Sequence, residues 1–426
     1  MIVTDSLLSK RHLENRPIVV GIIGAGEMAK GMINQVCKYT KGMVIGAVYN
    51  RTPERALKVF NELNIPDFLH TNKISEADEA VERGKTVITN DLEVFFNIGK
   101  IEIVVEATGA ISFGAEAILK AFEHGKHVLS FNAELDSTLG PILLNKAKTA
   151  GVKYSLGDGD QPGVTMNLYR YVKAMGFEPL VCGNIKGMLD YYRTPATQKG
   201  FAESWGMAPE MATNFADGTK VAFEQSCIAN ATGMSVAKRG MYAYESKEHV
   251  DNLTHLYDVS ELREKGGIVE FIIGAKPSPG VFVYATTDDP FSKKYLDYGK
   301  LGKGPLYSFY VPFHLLFFDI ASAIVRLIDL DDPVIVPKDK PYVDVITVAK
   351  KDLMPGEKLD GIGGFNAYGL CENHYITVSS DLLPMGLSQD CELKNPIKKD
   401  SVITYNDVIL PQNRMIDRLM KEQIKL

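Results

Sequence analysis

Ile18-Val19-Val20-Gly21-Ile22-Ile23-Gly24-Ala25-Gly26-Glu27-Met28-Ala29 is the stretch that decides the fold. Its apolar, β-branched first half reads as a strand covered on both faces. A glycine-rich turn follows, and a helix-patterned run opens directly after it. Glycines at such a turn let the chain reverse tightly and bring its backbone close to a pyrophosphate, which then rests on the free N–H groups of the helix's first turn. Gly24, Gly26, Glu27, Met28 and Ala29 are the residues this assigns to a dinucleotide. Without a ligand, the same stretch is an ordinary glycine-rich turn.

Working outward, further short Val/Ile-rich runs alternate with helical patterns: Val44 to Tyr49, Thr86 to Thr89, Ile101 to Glu106, His127 to Phe131 and Val152 to Ser155. Strand following helix repeatedly is the signature of a parallel sheet with crossover helices, so the N-terminal part is expected to be an α/β, doubly wound Rossmann domain. The pattern breaks at Gly157-Asp158-Gly159-Asp160-Gln161-Pro162-Gly163, too rich in glycine, proline and aspartate to continue either element. Beyond it the chain is mixed. Helical patterns at Thr165 to Met175 and Gly218 to Asn230, with strand-like runs at Gly267 to Ile273 and Val281 to Thr286, suggest an α+β substrate domain. Pro333 and Pro337 then introduce a short-stranded, turn-rich module. The expected division is residues 1–156, 157–335 and 340–412, with 413–426 as a tail.

Composition narrows the function. Of 426 residues, 45% are hydrophobic and 23% charged, which excludes disorder. A formal net charge of −6 gives no basic surface for nucleic acid or an anionic membrane. Five dispersed cysteines without a CxxC indicate neither a disulfide framework nor a thiolate zinc site, so a reducing, cytoplasmic location is expected. The N-terminus does not read as a secretory signal. Val311 to Ile328 is the most membrane-like stretch, but His314, Asp319 and Arg326 interrupt it, and it reads as a buried helix.

At the end of the second strand, where an acid usually meets the ribose 2′-hydroxyl, stand Asn50, Arg51 and Thr52. An arginine there suits a 2′-phosphate, so NADP is favoured over NAD; the plainer alternative is a solvated surface charge. Ala107, Thr108 and Gly109 end the fourth main strand with small residues that let the backbone pass close to a nicotinamide. Asn132 and Glu134 reach the same sheet edge as candidates for the reaction centre, although an acid at a helix start also complements the helix dipole. Asp158 and Asp160 stand two apart in a turn and could offer two oxygens to Mg²⁺ or Mn²⁺; capping is the alternative. No His pair among the eight has HxH or HExxH spacing.

Further on, Lys186 and Lys220 sit among small or apolar neighbours. Lys220, beside Asp217, is suited to polarising a carbonyl or alkoxide during hydride transfer. Arg193, Lys199, Lys238 and Arg239 are the cations a phosphorylated substrate would need, with surface ion pairing as the alternative for each.

Together these segments resemble the homoserine-dehydrogenase-like oxidoreductases that carry a C-terminal SAF domain. Gly183-Asn184-Ile185-Lys186-Gly187-Met188-Leu189-Asp190-Tyr191-Tyr192 is similar to that superfamily's substrate-domain strand, and Asp217 with Lys220 resembles its catalytic pair. One departure is that Asn132-Ala133-Glu134 stands where homoserine dehydrogenases have Asn-Lys. Asp158 to Val164 and Arg193 to Gly200 resemble most closely the DXR-like (DRL) group, and 342–410 looks like a SAF β-clip. The resemblance implies a homodimer that converts 1-deoxy-D-xylulose 5-phosphate to 2-C-methyl-D-erythritol 4-phosphate with NADPH. A divalent cation near Asp158, Asp160 and Glu134 would stabilise the rearrangement, and Lys186, Arg193 and Arg239 would hold the phosphate. Two other readings stand beside it: a dehydrogenase without isomerisation, and a non-catalytic NADP-binding sensor.

Overall fold

The computed structural model describes residues 2–426, with side chains from residue 3. The chain forms two compact units, Met1–Asp160 with Leu315–Val336, and Gln161–His314 with Pro337–Leu426. Residues 315–336, which the sequence suggested would continue the middle segment, thus pack with the first.

The first unit is built on seven strands: β1 (Ile18–Ile23), β2 (Met43–Tyr49), β3 (Phe68–His70), β4 (Thr86–Thr89), β5 (Ile103–Glu106), β6 (His127–Ser130) and β7 (Tyr154–Leu156). All pair in parallel, in the order β3-β4-β2-β1-β5-β6-β7. Strand order reverses across β1, whose neighbours are β2 and β5, so the carboxyl ends of these three strands meet at the switch point where open α/β sheets bind ligands. Every residue of β1, β4 and β5 is buried, which their continuous Val/Ile composition requires.

The expected buried helix from Val311 to Ile328 is corrected by the structure. Val311 ends a strand, Pro312 follows it, Leu316–Asp319 form a 3-10 turn, and only Ile320–Asp329 are α-helical. Proline has no N–H to donate and biases its predecessor toward extended backbone, so a helix cannot run through it from Val311. Among the described residues no helix is long and apolar enough to cross a membrane.

The second unit holds a four-stranded sheet of β8 (Glu178–Lys186), β9 (Ile268–Ile273), β10 (Gly280–Thr286) and β11 (Tyr307–Val311), ordered β11-β10-β8-β9. β8 runs parallel to β9 and antiparallel to β10. Its core gathers Val181, Ile185, Ile268, Ile272, Phe282 and Tyr284. The C-terminal part adds the antiparallel pair β12 (Val343–Ala349) and β13 (Ala367–Asn373), and the two-residue pair β14 (Glu392–Leu393) and β15 (Val408–Ile409). The helix Met415–Gln423 occupies most of the expected tail and buries Ile416, Leu419, Met420 and Gln423.

Candidate active site

In the first unit, Gly24 lies at φ 121°, and its N–H donates to Tyr49 O at 2.9 Å. A Cβ there would lie 2.8 Å from Ala107 O, so the turn after β1 passes against the segment after β5 with room for hydrogen only. Gly26 behaves differently. Its φ of −82° suits any residue, and a Cβ would meet nothing within 4 Å. It caps the helix Glu27–Tyr39 without a side-chain hydrogen bond, and the first-turn N–H groups of Glu27, Met28 and Ala29 have no carbonyl inside the helix to bond. This open, donor-rich end is a cradle of the kind a pyrophosphate fills.

At the end of β2, Asn50 Nδ2 donates to Thr52 O at 2.7 Å and fixes the loop. Arg51 and Thr52 are exposed, and among the described residues no carboxylate pairs with Arg51. Under β5 lies a carboxyl that sequence reading named only as the strand's last residue. Glu106 is fully buried and accepts from Thr108 N at 2.8 Å, from the Thr108 hydroxyl and from Ser130 Oγ at 3.3 Å. Burial pushes its pKa up, and hydrogen bonds from Thr108, Asn132 and Ser130 act against that. Ala107, Thr108 and Gly109 are therefore shaped by Glu106. Asn132, fully buried, caps the helix Ala133–Ala150 by accepting from Leu135 N at 3.0 Å, and its Nδ2 lies 3.4 Å from Ala110 O. Its side chain thus ties the segment after β5 to the start of the helix that follows β6.

Glu134 is buried in the first turn of that helix, where an acid complements the dipole. Asp158 is also buried. Its Oδ1 accepts from Gly159 N at 2.8 Å, and its Oδ2 lies 3.4 Å from Arg326 Nη1. Arg326 is 2% exposed and also binds Asp332 at 2.9 Å. Asp160 is half-buried. The test for a divalent cation is whether oxygen donors converge, and here Asp158 turns one oxygen to a backbone N–H and the other to a guanidinium. Among the described residues no three His, Cys, Asp or Glu side chains gather as a metal site. The Asp158 and Asp160 arrangement does not fit the expected cation, and no chemical step is derived through one.

In the second unit, Lys186 ends β8 and its Nζ donates to Phe215 O at 2.6 Å. Burial lowers its pKa, while the negative charges of Glu224 and Asp217 raise it. Asp217 is fully buried at the corner between the helices Pro209–Ala216 and Thr219–Thr232. The corner is made by Gly218 at φ 82°, where a Cβ would come within 2.6 Å of Leu189 Cδ1. Asp217 Oδ1 accepts from Thr219 N at 2.9 Å, and the ammonium at 2.7 Å from Oδ2 is that of Lys350. Burial raises the Asp217 pKa, and Lys350 opposes it.

Lys220 is 9% exposed in the first turn of the second helix, one turn before the buried Glu224 and on the same face. Sequence reading missed both Lys350 and Glu224. For Glu224 the four-residue spacing from Lys220 was a usable signal; for Lys350 there was none, because it lies far along the chain.

The other cations are more conventional. Arg193 Nε lies 3.0 Å from Asp190, Lys199 lies 4.0 Å from Glu203 on an exposed helix face, and Lys238 stands 5.5 Å over the Tyr242 ring. Arg239 Nε binds the buried Glu372 at 2.7 Å. The structure thus gathers Lys186, Asp217, Glu224 and Lys350 into one cluster with Lys220 alongside on the same helix, and leaves Lys199 and Lys238 in local surface contacts.

Residues 24–156 match the family of the homoserine dehydrogenase NAD-binding domain, and residues 159–320 match that of the oxidoreductase DRL catalytic domain. Similar curated proteins include homoserine dehydrogenase of Pseudomonas aeruginosa, 27% identical over 32% of this chain and 28% of its own length. Another is homoserine dehydrogenase of Methylobacillus glycogenes, 26% identical over 44% of this chain and 42% of its own. The chain thus spans less than half the length of these relatives. Among solved structures, scyllo-inositol dehydrogenase of Lactobacillus casei with NAD(H) and scyllo-inositol has a TM-score of 0.42 at 14% identity, covering 75% of this chain and 92% of that one. A DOX-P reductoisomerase with NADPH, fosmidomycin and magnesium has a TM-score of 0.34 at 15% identity, over 49% and 56%. The matches make the chain similar to nicotinamide-dependent oxidoreductases in both of its matched parts. More particularly, the chain is homoserine-dehydrogenase-like in its nucleotide-binding part and DRL-like in the part that follows.

Proposed function

We propose that this protein is an NADPH-dependent reductoisomerase of the DRL type, acting on 1-deoxy-D-xylulose 5-phosphate or a related ketose phosphate. The observation that carries the reading is the DRL-type catalytic segment, 159–320, joined to a nucleotide-binding unit whose β2 loop offers an unpaired arginine and no acid. Arg51 is suited to the 2′-phosphate of NADPH.

The bound nucleotide supplies a hydride. Lys186 supplies the matching proton: burial weakens its hold on that proton, and the ammonium hydrogen-bonds the carbonyl oxygen as negative charge grows there. Carbonyl carbon gains hydride, oxygen gains the proton, and the product is an alcohol. Lys220 adds a second positive charge, and Asp217 with Glu224 keeps the cluster from excess charge. Arg193 and Arg239 are the proposed phosphate contacts, and a homodimer is the proposed assembly.

One observation favours a second reading, a dehydrogenase that reduces a carbonyl without isomerisation. Asp158 is engaged by Arg326, and among the described residues no three His, Cys, Asp or Glu side chains gather to hold the cation that a rearrangement would use. The test is NADPH oxidation followed at 340 nm with 1-deoxy-D-xylulose 5-phosphate and with aldehyde substrates, each with Mn²⁺ and with excess EDTA. Turnover of the ketose phosphate to a branched polyol phosphate supports the reductoisomerase. Reduction of aldehydes alone, unaffected by EDTA, supports the second reading.

A further inference from the structure

Lys350 directly follows β12, and its backbone N–H donates to Asn366 O at 2.8 Å. Its side chain is 3% exposed. The ammonium donates to Arg193 O at 2.7 Å and to Gly364 O at 2.8 Å, and it forms an ion pair with Asp217 Oδ2 at 2.7 Å. Two hydrogen bonds and one ion pair hold the charge at one point. Two of these partners lie on the segments that carry the proposed chemistry. Arg193 closes the loop leading away from Lys186, and Asp217 forms the corner before Lys220.

The same two segments are gripped elsewhere by the C-terminal part. Tyr368 stacks on Tyr191 at 4.8 Å, Asp400 accepts from the Tyr192 hydroxyl at 3.0 Å, and Lys399 lies 3.5 Å over the Tyr192 ring. Gly369 N donates to Thr219 Oγ1 at 2.9 Å, and a Cβ at Gly363 would fall 2.0 Å from Glu210 O. Lys186 pins the corner at a third point through Phe215 O.

We infer that residues 337–426 are an integral part of the substrate site, and that Lys350 is its positioning residue, locking Asp217 and the Arg193 backbone in the geometry that aims Lys186. This rests on the reading of Lys186 and Asp217 as reaction-centre groups. A buried carboxylate keeps its charge only while a counter-ion stands beside it. Asp217 in turn is one of the two negative charges that face Lys186, Glu224 being the other. Lys350 acts through Asp217 and the Arg193 backbone and touches no substrate.

The experiment uses the full chain with Lys350→Met, Lys350→Arg and the charge-neutral pair Lys350→Met with Asp217→Asn. Readouts are NADPH affinity, melting temperature, kcat and KM on the best carbonyl substrate, and hydrogen exchange across 186–193 and 209–220. For Lys350→Met we expect NADPH affinity within twofold of wild type, kcat lower by about 100-fold with KM changed by less than fivefold, and faster exchange in both segments. Lys350→Arg should recover at least tenfold of the lost kcat. The paired variant removes both buried charges and so keeps its fold even if Lys350→Met alone does not; its kcat should be as low as that of Lys350→Met. Wild-type kcat in either Met-bearing variant overturns the inference, as does unchanged exchange across 209–220. If wild type turns over no carbonyl substrate, the functional reading fails, and the exchange arm still decides whether Lys350 holds the two segments.

Discussion

The two glycines of the turn after β1 should respond oppositely to the same added methyl. Gly26→Ala places a Cβ where nothing lies within 4 Å, at a φ of −82° that alanine adopts freely. Restricting the unfolded chain at such a position stabilises a protein by about 0.4–1 kcal/mol, so the melting temperature of the ligand-free protein should hold or rise slightly. If a pyrophosphate packs on this turn, the methyl occupies its place and lifts it from the first-turn N–H groups. Losing two charge-assisted hydrogen bonds at about 1.5 kcal/mol each weakens NADPH binding by about 3 kcal/mol, or on the order of 100-fold. Gly24→Ala puts a Cβ at φ 121° and 2.8 Å from Ala107 O. The backbone conformation alone costs about 1–2 kcal/mol, and the contact forces the β1 and β5 turns apart, so both stability and affinity fall. The assay is calorimetric melting of the apo variants together with titration of NADPH fluorescence. A Gly26→Ala protein that melts normally and binds NADPH as tightly as wild type would refute the placement of the cofactor on this turn.

Three further predictions follow from particular contacts. Arg51→Ala should weaken NADPH binding by about 2 kcal/mol, roughly 30-fold, while leaving NADH affinity within twofold, because only the 2′-phosphate would be lost as a partner; equal losses for both nucleotides count against the role given to Arg51. Arg326→Met strips Asp158 of its buried guanidinium and should destabilise the protein by about 3–5 kcal/mol in urea melts at neutral pH; a loss below 1 kcal/mol contradicts the pairing. Burial raises the Glu270 pKa to about 7, although it accepts from Tyr242, Ala243 and Phe271 N–H groups. A carboxyl whose pKa is higher in the fold than in the unfolded chain costs nothing below the unfolded value and most above the folded one. Stability from this group should therefore decline between about pH 4.5 and 7, by on the order of 3 kcal/mol, and Glu270→Gln should flatten that decline. Identical pH–stability curves for the two proteins would remove Glu270 as its source.

The strands at the core of the first unit were legible because burial on both faces leaves a continuous apolar run. Ile18–Ile23 and Thr86–Thr89 coincide with expectation, and Val44, Ile101, His127 and Val152 each fall within two residues of an observed strand start. β3 went unseen because its three residues are half-buried or exposed, so no apolar run marks it. The segment beginning at Val311 misled because hydrophobicity counts residues without regard to Pro312. Phe313, Leu315 and Phe318 are exposed rather than core-facing. In the C-terminal tail a signal was present and unused: Ile416, Leu419, Met420 and Gln423 repeat at helical spacing, and they are the residues buried there.

Legibility of the site divides by the distance over which each interaction acts. The turn proposed for the nucleotide is a local device, since glycine, strand and helix N-terminus lie within a dozen residues, and its backbone geometry is written in those same residues. The buried cluster around Lys186 and Asp217 is a tertiary arrangement. Asp217 is followed by the corner glycine Gly218, which sequence order displays, but its charge is supported by Lys350, just after β12, and the loop carrying Arg193 is fixed by the same ammonium. A lysine before Lys351 in a turn-rich stretch reads as solvated charge, because composition describes neighbours along the chain whereas desolvation depends on neighbours in space. A buried ion is costly unless its partner is in place, so these two residues are constrained together even though neither marks the other in sequence. It follows that substitutions in residues 337–426 which preserve the β12–β13 pair but shift Lys350 should damage turnover before they damage nucleotide binding.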